Sequence, residues 1–396
     1  MRRIGDVAGA VQRAVAGASA LIALGLLLGQ TGRTEAQETS RWEAVGPAEQ
    51  SIGRLYTPPS GALLASTSNG LIRSDDAGET WRTIERPEGT SIISVSPTDH
   101  DLLYAAGRAG VLRTEDGGAS WQRVSEQGGD WRKLEISPAD PSILYGVIVT
   151  SPPSVYGTNH WHEFWVSRDA GATWENVRTH HERFLPGSQP CAYTVNLLLP
   201  HSISTNRVLT IEGCTGRGMD PLASFSPNEN RNLEIIPTAQ SDSWSANAAV
   251  GGDGVRPERW YVSLYRPGIS YSRIRHSRVM RSDDDGLTWT TIFEDDGGAP
   301  DRNMAKTMDF VSELTYDRQR PDHMYALFNH YEPGEPAYKE HRQTGSTVRV
   351  SRDGGVSWSD LGVPDGQTVT ELAVGVDGRY LFAATGHGVY RIGLPQ

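Results

Sequence analysis

The chain has 396 residues, including 43 Gly, 23 Pro and 11 Trp, and a formal net charge of −11 at pH 7. This acidic balance disfavours nucleic acid or an anionic membrane surface as the general partner. Abundant Gly, Pro and Trp beside only 7 Phe are typical of many short strands, tight turns and a repeated aromatic anchor.

The first 36 residues are predicted to be a targeting segment, separate from the fold. Arg2, Arg3 and Arg13 precede an apolar run at 14–29, and a small-residue exit follows at Thr34-Glu35-Ala36. This is the pattern of a signal peptide. The run is slightly short for a membrane span, and retention as an uncleaved anchor is the alternative. We expect export to the periplasm, the cell surface or the medium, with residues 37–396 forming one domain.

An eight-residue pattern, Ser/Thr-x-Asp-x-Gly-x-Ser/Thr-Trp, recurs along the rest of the chain. Its five copies are Ser74–Trp81, Thr114–Trp121, Ser167–Trp174, Ser282–Trp289 and Ser351–Trp358. The Asp and Ser/Thr side chains can bond the N–H groups of a tight turn, Gly suits a left-handed position, and Trp packs beneath the turn. The pattern therefore predicts a structural role for Asp76, Asp116, Asp169, Asp284 and Asp353.

This repeat resembles the Asp-box, or BNR, motif of sialidases, sortilin-type receptors, two-propeller xyloglucan hydrolases and a photosystem II assembly factor. In those families the motif staples the outer part of each β-propeller blade, away from the functional face. The resemblance implies a β-propeller here. It also directs the search for a ligand site to the end of the blades opposite the boxes.

The spacing of the motif Trp residues predicts the number of blades. One blade fits between Trp81 and Trp121, and a second ends at Trp174. The interval from there to Trp289 has room for two blades, one of which has a degraded box near Asn228–Asn232. The interval from Trp289 to Trp358 holds one blade with an insertion.

The two ends of the chain are predicted to share the last blade. Leu372–Ile392 supplies three strands without a box, and Trp42-Glu43-Ala44-Val45 matches the strand that follows each box. The sequence therefore predicts an all-β fold, a single seven-bladed β-propeller of four-stranded antiparallel blades. The N-terminal strand would close the ring and remove exposed sheet edges. Six blades are the alternative if the Cys-containing region is irregular.

The two cysteines flank two strand-like runs, Ala192–Leu199 and Arg207–Glu212. If these runs form a hairpin, equal counting from the turn places Cys191 opposite Cys214. In an oxidising compartment a disulfide there would stabilise the fold by roughly 3 kcal/mol. Two unbonded buried thiols are the alternative.

Three long loops between second and third strands are predicted at the end opposite the boxes, at about 151–163, 265–277 and 330–346. Long loops on a rigid frame are the usual place for binding residues. The ligand-binding candidates in these loops and one interblade segment are Tyr156, His160, Trp161, Glu163, Arg183, Tyr265, Arg266, Arg273, Arg275, His330, Tyr331 and Glu332.

Each group of candidates also has a plainer interpretation. Alternating residues such as His160 and His162 are typical of the surface and core positions of a strand, and alternating arginines such as Arg273 and Arg275 suit a solvated face. His160, His162 and Glu163 could bind a metal, but the strand interpretation is favoured, and His180-His181-Glu182 lacks the spacing of a zinc protease. We therefore predict no metal and no cofactor.

Sialidase chemistry is disfavoured by the first strand of the predicted propeller. The resemblance implies an Arg-Ile-Pro motif there, three arginines for a substrate carboxylate and a Tyr/Glu nucleophile pair. The corresponding stretch is Gly53-Arg54-Leu55-Tyr56-Thr57-Pro58. The favoured interpretation is an exported, monomeric, non-enzymatic module that binds a protein or carbohydrate ligand, and whose only membrane contact would be an uncleaved N-terminus. A sialidase-like glycoside hydrolase is the alternative.

Overall fold

The computed structural model describes residues 41–150, 161–180, 192–215, 222–226, 231–234, 245–251, 256–267, 274–295, 307–333 and 341–395. All regular structure in these ranges is β. No helix in this part of the chain is long and apolar enough to cross a membrane. The predicted targeting segment lies outside the described residues, so its cleavage stays a prediction.

The described strands form seven four-stranded antiparallel sheets, numbered here from the N-terminal end. Sheet 1 contains β2 (Leu55–Tyr56), β3 (Leu63–Thr67), β4 (Gly70–Ser74) and β5 (Arg82–Glu85). Sheet 2 contains β6 (Thr90–Val95), β7 (Leu103–Gly107), β8 (Gly110–Thr114) and β9 (Gln122–Ser125). Sheet 3 contains β10 (Asp130–Ile136), β11 (Leu144–Thr150), β12 (Trp161–Ser167) and β13 (Glu175–His180).

The next three sheets repeat this order along the chain. Sheet 4 contains β14 (Ala192–Pro200), β15 (Val208–Thr215), β16 (Leu222–Ser226) and β17 (Arg231–Glu234). Sheet 5 contains β18 (Ser245–Gly251), β19 (Trp260–Pro267), β20 (Ile274–Ser282) and β21 (Thr290–Asp295). Sheet 6 contains β22 (Met308–Tyr316), β23 (Met324–Pro333), β24 (His341–Ser351) and β25 (Ser359–Gly362).

Sheet 7 joins the two ends of the described chain. It contains β26 (Val369–Val374), β27 (Tyr380–Thr385), β28 (Gly388–Gly393) and β1 (Glu43–Ala44). Strand β1 pairs with β28, with Glu43 opposite Arg391. The predicted use of the N-terminal segment as a fourth strand is therefore observed in the pairing.

The innermost strand of each sheet, which is β2, β6, β10, β14, β18, β22 or β26, lies near the axis of the molecule. From β6 to β26 each inner strand contacts the next one, and β26 contacts β2. Apolar clusters fill the space between sheets; Leu55 of sheet 1, for example, packs with Phe382 of sheet 7, and Tyr104 of sheet 2 with Trp131 of sheet 3. Sheets covered on both faces in this way have near-continuous apolar strands.

The five boxes have one hydrogen-bond pattern, shown here for Ser74–Trp81. The Ser74 hydroxyl donates to Asp76 Oδ1 at 2.8 Å and accepts the Gly78 N–H at 2.7 Å. The Asp76 carboxylate accepts the N–H and the hydroxyl of Thr80 at 2.8 and 2.6 Å. The other four boxes make the same bonds.

Each box turn contains two consecutive left-handed residues rather than the single Gly that the motif suggested. The residue before the motif Gly has positive φ in every box, including Ala77 (57°) and Asp285 (64°). The motif Gly also approaches the preceding sheet. A Cβ on Gly118 would lie 2.3 Å from Ile84 Cγ2, so this glycine serves both the turn and the packing of sheet 2 on sheet 1.

Sheet 4 has no intact box, and its predicted degraded turn at 227–230 lies outside the described residues, although β16 and β17 pair on either side of it. The cysteine register differs from the expectation. Tyr193, not Cys191, lies opposite Cys214. Pro200 pairs with Val208, so the turn is centred on Ser204, whereas pairing of Cys191 with Cys214 requires a centre between Ser202 and Ile203. Cys191 lies outside the described residues, so the disulfide stays a prediction.

Candidate functional site

The innermost strands share an irregularity at one level, which decides where their side chains lie. In β22 the register shifts between Val311 and Glu313, so that two residues oppose one on β23. The inner strands of sheets 2, 3, 4, 5 and 7 shift at the equivalent point. Sheet 1 has the same irregularity, because Gly53 and Arg54 both bond Ser66. Gly53 donates its N–H to the Ser66 carbonyl, and Ser66 donates its N–H to the Arg54 carbonyl. Such β-bulges re-aim side chains.

We call the residue after this irregularity the post-bulge residue. In sheets 1 to 7 the post-bulge residues are Arg54, Ile92, Lys133, Leu197, Ala248, Glu313 and Glu371. Four of the seven are charged. Two residues further along the same strands, Tyr56 and Glu135 add further polar groups. Together Arg54, Tyr56, Lys133, Glu135, Glu313 and Glu371 form a group that we call the axial cluster.

An ion pair across the axis connects two sheets that are not neighbours. Arg54 Nη1 of sheet 1 lies 2.6 Å from Glu135 Oε1 of sheet 3. The Arg54 side chain retains 47% of its exposure and the Glu135 side chain only 13%. The guanidinium is therefore surrounded by protein and still open to solvent. The Glu135 charge raises the pKa of Arg54, which keeps its positive charge.

Glu371 and Glu313 extend the cluster on sheets 7 and 6. Glu371 Oε1 accepts the Leu55 N–H of the neighbouring inner strand at 3.2 Å. Burial raises the pKa of Glu371 to about 7, and the Glu135 charge acts in the same direction. Burial also raises the pKa of Glu313 to about 8, with repulsion from Glu371 as the second cause. Near pH 7, Glu313 is therefore mostly protonated and Glu371 about half protonated.

Burial shifts two further groups of the cluster toward their neutral forms. It raises the pKa of Tyr56 to about 12, against the opposing effect of Arg54. It also lowers the pKa of Lys133. The cluster therefore combines the Arg54 and Lys133 side chains, a carboxylate bonded to Arg54, and two carboxyl groups whose pKa values are raised. Such a set can donate and accept hydrogen bonds to a polar ligand.

The sequence contained a signal for these residues that our motif reasoning missed. Glu135, Glu313 and Glu371 each lie in the first strand of their sheet, in the segments LEIS, SELT and TELA. The repeat pattern predicts only an apolar first strand in each blade and places function in the long loops. A carboxyl group in a strand that packs between two sheets lowers stability unless it is paired or hydrogen-bonded. Its presence there therefore indicates a functional site.

Two predicted loop candidates make contacts within their own sheets. Glu163 accepts the Thr150 hydroxyl and the Trp165 indole N–H, both at 3.0 Å. Its carboxylate therefore stabilises the β11–β12 hairpin. Trp161 is half-buried at the start of β12, opposite Thr150.

A second polar group lies at the end of sheet 6 opposite the box. His330 Nδ1 is 2.6 Å from Asp309 Oδ1, and His330 Nε2 is 2.9 Å from the Thr347 hydroxyl. Arg349 donates to the other Asp309 oxygen at 2.9 Å. These contacts account for both ring nitrogens of His330. This predicted candidate is therefore bonded within its own sheet.

Aromatic candidates lie close to that group. Phe310 contacts Tyr265 of sheet 5 at 5.6 Å and Tyr331 of sheet 6 at 6.4 Å between ring centroids. Burial raises the pKa of Tyr331. Glu332 is exposed opposite Arg342 on β24. The structure thus brings Tyr265, His330 and Tyr331 to one end of sheets 5 and 6.

The structure describes the remaining candidates only by their backbones or not at all. Tyr156, His160, Arg183 and Arg273 lie outside the described residues. Arg266 and Arg275 are placed only by their backbones, in β19 and β20. Within the described ranges, one group has metal-ligand spacing, Asp99, His100 and Asp101. It is on the surface of sheet 2, away from the axial cluster, and includes the Asp101 carboxylate that bonds Arg73.

The sheets and the five boxes define the class of protein: this chain is an Asp-box-repeat β-propeller. Residues 69–200 match the Sortilin-Vps10 family, described as sortilin, neurotensin receptor 3. A xyloglucanase from Paenibacillus sp. is 26% identical over 270 residues, which cover 58% of this chain and 24% of that protein. The chain spans about a quarter of that relative.

Two solved structures show the same fold at low sequence identity. The GH74 xyloglucanase from Xanthomonas campestris has a TM-score of 0.57 at 17% identity, covering 89% of this chain and 53% of that one. YCF48 bound to D1 peptide has a TM-score of 0.55 at 14% identity, covering 90% of this chain and 97% of that one. These similarities establish the fold alone.

Proposed function

We propose that this chain is an exported, monomeric β-propeller that binds a glycan at the axial cluster, with the far end of sheets 5 and 6 as a flanking surface. The observation that carries the proposal is the convergence of polar side chains from sheets 1, 3, 6 and 7 beside the Arg54–Glu135 pair. Rigidly held groups of this kind suit sugar hydroxyls, since they provide both donors and acceptors. The signal-like N-terminus supports export.

A glycan array tests this proposal directly, and the exposed Arg379 offers a matched control. Arg54→Met removes the solvent-reachable guanidinium, whereas Arg379→Met removes one at the box end that pairs only with Asp377 among the described acidic residues. We expect the first variant to lose at least about tenfold in affinity, since one charged hydrogen bond accounts for that much. The control should bind as the wild type does. Equal binding by both variants, or binding only to a protein ligand, would contradict the proposal.

Glycoside hydrolysis is the second candidate, favoured by one specific observation. Glu313 and Glu371 have raised pKa values, as a general acid requires, and Glu135 is a third carboxyl group within the same cluster. Pairs of carboxyl groups with different environments are the requirement of glycosidases. A sialidase mechanism is less well supported, because Arg54 is the one guanidinium of the axial cluster and the raised pKa of Tyr56 opposes a nucleophilic role.

A hydrolysis screen separates the two candidates. The wild type, Glu313→Gln and Glu371→Gln would be tested on fluorogenic β-glucosides and sialosides. Turnover by the wild type that is abolished by one of these substitutions would establish the enzyme. Glycan binding without turnover on any of these substrates would support the binding function.

A further inference from the structure

The seven sheets provide an internal control for the two protonated glutamates. At the same post-bulge position, sheet 2 has Ile92 and sheet 4 has Leu197. Ile92 packs into an apolar cluster with Trp131 of the next sheet, and Leu197 packs in the same way with Trp260. The fold therefore accepts an aliphatic side chain at this position. It does not need the carboxyl groups of Glu313 and Glu371.

A carboxyl group at a position suited to Leu lowers stability, because its charged form is poorly solvated there. Two such groups occur on the adjacent sheets 6 and 7. Glu371 Oε1 accepts the N–H of Leu55, the residue after Arg54 on sheet 1, and the charge of Arg54 acts on both carboxyl groups. Local rules are typically broken at functional sites. Because both residues belong to the same cluster as the solvent-open Arg54 guanidinium, we infer that they contact what Arg54 contacts.

We propose that Glu313 and Glu371 recognise the hydroxyl groups of the bound glycan as neutral carboxylic acids. The proposal rests on the glycan-binding function above and specifies how that site recognises its ligand. A neutral carboxyl group both donates and accepts hydrogen bonds, whereas a carboxylate only accepts. Glu371 Oε1 is occupied by the Leu55 N–H, so its other oxygen would meet the ligand. Binding should then weaken as these groups ionise.

The charged and titratable neighbours of the pair are the other members of the axial cluster. Arg54 and Glu135 act on Glu371, while Glu371 and Arg54 act on Glu313. Lys133 and Tyr56 complete the set through their interactions with Arg54 and Glu135. Among these neighbours, Arg54 favours ionisation, and Glu135 opposes that of Glu371. Loss of ligand affinity should therefore begin near pH 7 and be complete by about pH 9.

The test uses the full chain and Glu→Gln substitutions, since Gln keeps the shape and the neutral donor at every pH. Affinity for xyloglucan oligosaccharides, and for each glycan that scores on the array, is measured by calorimetry from pH 5 to pH 9. We expect wild-type affinity to fall at least tenfold between pH 6 and pH 9. Glu371→Gln should bind at pH 6 like the wild type, and the double variant Glu313→Gln/Glu371→Gln should lose less than threefold in affinity by pH 9. Glu371→Leu should fold but bind weakly throughout, and Glu126→Gln, an exposed control, should follow the wild type.

The possible failures are distinguishable. Absence of binding to any glycan between pH 5 and pH 9 overturns the proposed function together with this inference. Glycan binding that strengthens with pH, or that Glu371→Gln and Glu313→Gln abolish at pH 6, would show that the carboxylate is the active form and overturn the inference alone. A Glu371→Leu variant that binds like the wild type would also overturn it.

Discussion

The box turns and the axial cluster use the same functional group in opposite ways. In the boxes, hydrogen bonds from Thr80 and Ser74 lower the pKa of Asp76 to about 2, and those from Ser357 and Ser351 do the same for Asp353. At the axis, burial raises the pKa of Glu371 to about 7 and that of Glu313 to about 8. A carboxyl group in the boxes contributes stability in its charged form, whereas one at the axis lowers stability in that form. The two regions thus place the same functional group in opposite electrostatic environments.

The largest expected effect comes from disrupting a box turn where it meets the neighbouring sheet. Gly118→Ala places a Cβ at a residue with φ of +87° and 2.3 Å from Ile84 Cγ2. Strain and overpacking together should lower the free energy of unfolding by about 2–4 kcal/mol. The measurement is denaturant-induced unfolding. Gly386→Ala is the matched control, because nothing lies within 4 Å of its Cβ position; a similar loss in both variants would refute the explanation.

The second-largest expected effect is a gain in stability, caused by a substitution in the axial cluster. Glu313→Leu should raise the free energy of unfolding at pH 8 by about 1–2 kcal/mol, since Leu197 fills the equivalent position in sheet 4. The folded-state pKa of about 8 lies above the ordinary value of 4.5, so the wild type loses stability as pH rises from about 4.5 to 8. The gain should therefore shrink toward pH 4, where the carboxyl group is protonated in both states. Unfolding curves at pH 4, 6 and 8 test this, with Glu126→Leu as the exposed control.

The boxes were predictable and the axial cluster was not, for a physical reason. The hydrogen bonds that define a box turn lie within eight consecutive residues, as between Ser74 and Gly78 and between Asp76 and Thr80, so a local pattern is sufficient to find them. Arg54 and Glu135 are 81 residues apart, and Leu55 and Glu371 are 316 apart. Their convergence depends on the order of the sheets and on a register shift in each inner strand. A motif of a few residues cannot reveal that.

Lowering the pH tests the contribution of the box carboxylates to stability. Asp353→Asn removes a carboxylate whose pKa is lowered to about 2 by Ser357 and Ser351. Such a group contributes stability above its ordinary pKa of 3.8, and the contribution is lost as pH falls from about 3.8 to 2. The variant should therefore melt below the wild type at pH 6, by less than Gly118→Ala does, and the difference should disappear near pH 2. A difference that persists at pH 2 would mean that the amide damages the turn by geometry rather than by charge. Thermal unfolding at both pH values distinguishes these outcomes.

The smallest expected effect concerns the Arg54–Glu135 pair and separates its role in binding from any role in stability. Because the Arg54 side chain is 47% exposed, solvent screens the attraction, and a double-mutant cycle of Arg54→Met and Glu135→Gln should give a coupling energy for unfolding below about 1 kcal/mol. The wild type, the two single variants and the double variant should differ far more in glycan affinity. In the proposed site Arg54 contacts the ligand, and Glu135 orients the Arg54 side chain. A coupling of several kcal/mol in unfolding with unchanged affinity would make the pair a staple between sheets 1 and 3. The axis would then be structural like the boxes.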